Sequence, residues 1–429
     1  MTYRGDNMKK HFTVAVIGAG GRGYTYAKHF TRRDEFTVVS ACDVNPKQLD
    51  KMQKAYNIEN DMLFDDEEVF FEKKRADILV IATCDNMHVR QCVRAMKMGY
   101  DVLLEKPISD SEQEIDELLR VKRETGRTVV VCHVLRYSPF VKKLDEILEA
   151  GTIGDLIAID HIERVAFWHQ AQAYVRIQKM YNDTQHPTIL AKCCHDLDLL
   201  QHFAGARCES VSSVGALTHF RPENAPEGST KRCVDCPHKD SCVFSAKRIY
   251  IDFWKQKGCP EYSWPWTKVC LQNPNTEKGL YEGIENTVFG ECVYKCGIEQ
   301  NPHVVDNQLV QMKFKNGVVA SLKMLFTESP GRRINFFGTK GEIVFDEQTD
   351  SIEVKPYFGE KQKYVLSTLN EGGWGHGGGD YGLINTMYGI LTGEITDYTT
   401  LEESVESHRM GIAAEKSRLS GGENILLRV

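Results

Sequence analysis

The residues best suited to chemistry begin with Val14-Ala-Val-Ile-Gly-Ala-Gly-Gly-Arg-Gly23, where four apolar residues run directly into Gly18, Gly20 and Gly23. After a buried strand, the first glycine permits a tight turn and the second lets backbone approach a pyrophosphate. The third lets helix pack on strand. Gly21 and Arg22 complete the turn, at a helix start whose free N–H groups and dipole favour an anion. A second apolar run, Phe36-Thr-Val-Val-Ser-Ala41, ends just before Asp43, which lies 20 residues beyond Gly23. A carboxylate there suits the adenosine ribose hydroxyls and repels a 2′-phosphate, so NAD is expected rather than NADP.

A second group leaves the ends of later apolar runs. Thr83 and His88 follow Ala76–Ile81, Glu105-Lys106-Pro107 follows Tyr100–Leu104, and Cys132 to Tyr137, with Arg136, follows Thr128–Val131. A lysine at a strand end beside a nicotinamide is placed to act as acid or base. Nearby positive charge and partial burial would lower its pKa towards neutrality. Glu105 would orient Lys106 or meet the nicotinamide ribose.

A third group is Cys233-x-x-Cys236 followed by Cys242, within a compositionally distinct stretch from about 222 to 296. Two thiolates at this spacing can share a tetrahedral ion. Cys292 is the first choice for a fourth ligand, with Cys208, Cys270 and Cys296 behind it. The expected metal is a structural zinc, with an iron–sulfur cluster left open. Free buried cysteines are the competing reading.

The elements that must position these groups are legible up to about residue 135. Helices are expected over 46–56, 66–74, 86–98 and 111–125, alternating with buried strands, which predicts a parallel sheet covered on both faces with ligand at its carboxyl edge. Beyond it, a helix to Glu149, a period-2 strand over 153–165, a helix over 187–202, an Asn316-Gly317 hairpin and strands near 333–337, 342–345 and 352–354 predict a second α/β domain over 136–429. A glycine-rich loop, Gly372 to Asp380, precedes two final helices. The chain has 429 residues, 26% of them charged, and a net charge of −7, with no basic stripe and no apolar run of membrane-spanning length. Nucleic acid and membrane partners are therefore not expected. Met1 to Lys10 lacks a signal-peptide core, and a cytoplasmic location is expected; clustered cysteines there suit metal better than disulfides.

Taken together, Gly18–Gly23, Asp43, Thr83 with His88, Glu105-Lys106-Pro107 and Leu135-Arg136-Tyr137 resemble the Gfo/Idh/MocA family of sugar and cyclitol oxidoreductases. The resemblance implies a Rossmann domain over 1–135 and a C-terminal α/β domain with an open, mainly antiparallel sheet. It implies Lys106 as catalytic acid/base, paired with His195 through His195-Asp-Leu-Asp-Leu-Leu200. The family's aspartate on that helix falls at Ala191, a departure, with Lys192 adjacent. Arg136, Trp168, Tyr174, Lys192 and His376 are further candidates for substrate contact, the aromatics, in a polar loop after the period-2 strand, because sugar faces pack on rings. A metal shared by His195, Asp198 and His202 is the less favoured reading of the helix. The implied reaction is NAD-dependent hydride transfer at a secondary hydroxyl of a sugar, glycoside or cyclitol. An alternative is a glycosidase working by transient oxidation and elimination; a third reading is a non-catalytic sugar or nucleotide sensor. A homodimer or homotetramer is expected through the open sheet.

Overall fold

The computed structural model describes residues 10–178, 186–369 and 376–427. Its first sheet contains β1 (Phe12–Ile17), β2 (Phe36–Cys42), β3 (Leu63–Phe64), β4 (Ile78–Ile81), β5 (Asp101–Leu104) and β6 (Val129–Val131), all parallel in the order 3-2-1-4-5-6. The strand order reverses between β1 and β4, which opens a crevice at their carboxyl ends. The local signals act as expected. Asn45 accepts a hydrogen bond from the Lys47 N–H and Pro46 starts the helix Pro46–Tyr56. Ser111 accepts from the Glu114 N–H, and Gly126, at φ 63°, ends the helix Glu112–Thr125 in the left-handed region.

The second sheet has nine strands: β7 (Leu156–Ala166), β8 (Cys208–Ala216), β9 (Asn307–Phe314), β10 (Val319–Thr327), β11 (Gly331–Gly338), β12 (Gly341–Asp346), β13 (Ser351–Pro356), β14 (Gln362–Val365) and β15 (Ile425–Leu426). They lie in the order 14-13-12-11-7-10-9-8-15, antiparallel except for the central β10–β7 pair. One face packs on the helix Thr188–Ala204 through Leu190, Leu197 and Leu200, against Val310, Leu322 and Phe336. The other carries Asp160, Ser321 and Gln311 towards solvent, the usual arrangement of an antiparallel sheet with one covered face.

The sequence boundary near residue 135 divides the chain but not its packing. Leu383, Ile384 and Met387, from the helix Gly379–Thr392, share a core with Val14, Val16 and Phe30. The helix Leu401–Leu419 bridges both sheets: Leu401 and Val405 join the first, and Met410, Ala413 and Ala414 the second. The segment of Trp168 and Tyr174, expected as a loop, is helical instead: Phe167–His169 continues into a π-helical stretch, Gln170–Ile177. The cysteine-rich insertion consists of short helices and turns around its own core of Phe244, Tyr250, Trp254, Trp266 and Cys292, into which Ala171 and Val175 reach. No helix among the described residues is long and apolar enough to cross a membrane.

Candidate functional site

The glycine turn sits at the crevice. Gly18 has φ +84° and a Cβ there would lie 2.4 Å from the Ala82 carbonyl oxygen; a Cβ on Gly23 would lie 2.1 Å from that of Gly18. Gly20 and Gly21, in contrast, face space with no atom within 4 Å of an added Cβ. Gly20 begins the helix Gly21–Phe30 without a side-chain cap. Close packing beneath, open space above and uncapped N–H groups fit a dinucleotide pyrophosphate. Asp43, half-buried after β2, accepts the Asn45 N–H at 2.8 Å. Three neighbouring candidates are occupied otherwise than expected. Arg22 turns away from the turn and pairs with Glu105 at 2.6 Å and Asp380 at 2.7 Å, because two buried carboxylates need a cation. Thr83 donates its hydroxyl to Gln91 at 2.6 Å. Buried His88 places Nδ1 2.8 Å from the Pro107 carbonyl and Nε2 3.3 Å from that of Thr83, tying together the ends of β4 and β5.

At the next strand end, Glu105 accepts from Arg22, from the Tyr26 hydroxyl at 2.7 Å and from the Lys106 N–H at 2.9 Å. Burial opposes its charge, but Arg22 and then Lys106 hold the carboxyl down at about 2. Lys106 is half-buried, among Cys194, Glu105, Tyr174 and Asp85. Burial works against the ammonium, yet these neighbours outweigh it and raise the pKa, opposite to the lowering expected from sequence. His195 lies within range of the Lys106 charge. Burial, then Lys106, His376 and His133, push the His195 pKa well below its ordinary value, so the imidazole is neutral. Its ring centroid is 5.7 Å from His376 and 6.1 Å from His133, and neither of its buried ring nitrogens has a hydrogen-bond partner in the chain. A buried unpartnered imidazole beside an ammonium is a standing demand for a polar ligand. His376 lies 3.1 Å from Asp380, which joins this ring to the Arg22 network.

An aromatic wall closes the far side. His169 stands 5.3 Å from Tyr174 and 4.9 Å from Trp264, and Trp168 lies 5.1 Å from Trp264, all between ring centroids. Burial first, then the charges of Lys192 and Lys106, lower the His169 pKa to about 3. Trp264 belongs to the insertion and was not singled out by sequence.

Lys192 is held by Glu163 at 2.7 Å, and Arg332 by Asp196 at 2.8 Å and Glu163 at 3.2 Å; His161 lies 3.0 Å from Asp196. Glu163, Asp196 and Arg332 also escape sequence reasoning. The available signal is that His161 and Glu163 occupy the inward, period-2 positions of β7, where apolar residues belong. His161, Glu163 and Asp196 are near enough to hold a cation, but Lys192 and Arg332 already neutralise the carboxylates. Arg136 does not line this site: it forks onto Asp198 at 2.7 and 2.9 Å and meets His202 at 2.9 Å. Asp198 is also 2.7 Å from His133, and His202 2.7 Å from Asp145, so His195, Asp198 and His202 do not converge. The segment around Trp374 lies outside the described residues. Cys233, Cys236, Cys242 and Cys292 line one cavity, whereas Cys208 lies in β8 and Cys270 contacts Thr276.

Residues 12–133 match the model of an oxidoreductase family with NAD-binding Rossmann fold, and residues 282–424 that of the family's C-terminal alpha/beta domain. YteT of Bacillus subtilis strain 168, an oxidoreductase by name only, is 25% identical over 399 residues, covering 87% of this chain and 88% of its own. The myo-inositol 2-dehydrogenase of Thermotoga maritima is 23% identical over 207 residues, 48% of this chain and 58% of that protein. The WlbA dehydrogenase of Bordetella pertussis, solved with NADH and UDP-GlcNAcA, shares the fold at a TM-score of 0.67 and 15% identity, covering 98% of this chain and 99% of the other. With both halves matched in order, the chain belongs to the NAD-binding Gfo/Idh/MocA oxidoreductase family.

Proposed function

We propose that this protein transfers hydride between NAD and a secondary hydroxyl-bearing carbon of a sugar, glycoside or cyclitol. The observation that carries the reading is a buried, neutral His195 whose ring nitrogens lack partners and which feels the charge of Lys106, the lysine at the carboxyl end of a strand of the dinucleotide-binding sheet. When bound, the nicotinamide supplies the hydride acceptor or donor. Lys106 Nζ takes the hydroxyl proton during oxidation and returns it during reduction. His195, neutral and lacking a partner, hydrogen-bonds the same hydroxyl and fixes its direction. Glu105 stays ionised beneath them, locked by Arg22, and holds Lys106 at the strand end. Tyr174, Trp168 and Trp264 offer ring faces to a sugar and exclude water, while Lys192 and His376 stand ready for further hydroxyls. Asp43 favours NAD by engaging the adenosine ribose.

A panel of inositols, sugars and glycosides assayed for NADH absorbance tests the class of reaction. Lys106→Met is expected to lower turnover by about 10²–10⁴-fold while NAD binding persists, since the residue moves a proton and does not hold the pyrophosphate. Retained turnover overturns the assignment. A second reading is favoured by His376 beside His195, because elimination of a glycosidic bond needs a further protonable group. Oxidation of a ring hydroxyl acidifies the adjacent C–H, the bond leaves by elimination, and water addition with re-reduction regenerates NAD. Aglycone release without NADH accumulation distinguishes it.

A further inference from the structure

The cysteine-rich insertion contains a second cluster of chemistry-bearing groups, separate from the hydride-transfer residues. Cys233, Cys236, Cys242 and Cys292 line a single small cavity with Ser229, and all four are free thiols despite their proximity. Three are buried and Cys242 is partly so. The sequence spacing brings the first three from one short turn region, Cys233–Asp235 and its continuation. Cys292 is fixed against that region by its N–H, which donates to the Lys231 carbonyl at 2.8 Å.

Two features decide what such a cavity would hold. A single zinc, with Zn–S bonds of about 2.3 Å, would draw its thiolates to about 3.8 Å from one another. Among the described residues, no three of these sulfur atoms lie within 4.8 Å of each other. A four-iron, four-sulfide cube, bound by four Cys thiolates, holds them further apart around its own volume. The second feature is Arg176. Its side chain is fully buried, it donates to the backbone carbonyls of Glu291 at 2.9 Å and Phe244 at 2.8 Å, and it approaches Cys233 Sγ at 3.7 Å. Its remaining nitrogen, Nη1, has no hydrogen-bond partner, and no carboxylate among the described residues pairs with it. A buried guanidinium without an anion is costly, and a tetrathiolate cluster carries the missing negative charge.

We propose that Cys233, Cys236, Cys242 and Cys292 bind an iron–sulfur cluster of the four-iron class, with Arg176 as its buried counter-cation. The cluster would tie together an insertion that lacks a sheet and that supplies Trp264 to the aromatic wall beside His169.

The test uses the full chain purified without oxygen. Iron and acid-labile sulfide are expected at about four equivalents each, with broad visible absorption bleached by dithionite. One equivalent of zinc without sulfide overturns the cluster, and so does less than about a tenth of an equivalent of iron. Cys236→Ser and Cys292→Ser are each expected to lose most of the iron, whereas Cys259→Ser, at an exposed position, retains it. Full iron in both ligand variants overturns the assignment. The iron, sulfide and absorption measurements on the unmodified chain decide the matter if those variants fail to fold. None of these readouts depends on turnover, so failure here leaves the hydride-transfer reading untouched.

Discussion

Burial and neighbouring charge drive Lys106 and His195 in opposite directions, and the difference has a pH signature. The chain's own groups favour the Lys106 ammonium, because Cys194, Glu105, Tyr174 and Asp85 outweigh the burial that opposes it. His195 is driven the other way, first by burial and then by Lys106 itself. Oxidation needs the free amine, so kcat/KM for alcohol oxidation should rise with pH as Lys106 loses its proton. The reverse reaction, which needs the ammonium, should fall over the same range. His195 stays neutral through the working range and should contribute no limb near its ordinary value of 6.5. In His195→Gln the rate should drop while the position of the Lys106 limb is kept, as measured by pH–rate profiles in both directions. A limb near 6.5 that vanishes in this variant would show that the imidazole, and not the amine, exchanges the proton. Lys106 was legible because Glu-Lys-Pro stands at the end of an apolar run. Its raised pKa was not, since the groups that raise it come from Asp85, Tyr174 and Cys194, each on a different element.

The elements around Lys192 are linked by charge through the covered face of the second sheet. Glu163 projects inward from β7, Lys192 and Asp196 come from the helix Thr188–Ala204, and Arg332 comes from β11. Their two carboxylates and two cations balance, and none of the four side chains is more than 16% exposed. Removing one charge leaves its partner buried and unpaired. Glu163→Gln should therefore destabilise the fold by about 3–5 kcal/mol, as read by denaturant titration, and loosen Lys192 in the site. A loss under about 1 kcal/mol would mean that water already solvates this network. Sequence periodicity found β7 and the helix because each has a clear apolar repeat. It missed β3, only two residues long, and β8, whose Cys-Glu-Ser-Val-Ser-Ser-Val-Gly-Ala run is too polar to announce a strand. It also read the 167–177 segment as a loop, since Gln and Ala there form no regular stripe and the helix is widened to π geometry by tertiary packing.

At the scale of the molecule, the helix Leu401–Leu419 ties the two sheets together, and the second sheet keeps its other face open. The sheet alternation that buries Ile159 and Leu322 turns Val319 and Phe337 outward, at 49% and 39% exposure, and Val214 lies exposed on the same side at 53%. Val319 and Phe337 stand among Asp160, Gln311, Lys313 and Ser321 on a shallow concave surface. Apolar residues within a polar surround are the composition of a protein interface. A second copy of the chain, meeting this face about a two-fold axis, would set the same residues against themselves. The expected solution state is accordingly a dimer built on this surface. Light scattering coupled to size exclusion should give twice the monomer mass for the unmodified chain. Val319→Asp combined with Phe337→Asp should return it to the monomer, because four like charges would then face one another across the axis. Both side chains point away from the core, so the variant should keep its fold and its NAD affinity. A monomer before substitution, or an unchanged dimer after it, would exclude this face as the contact.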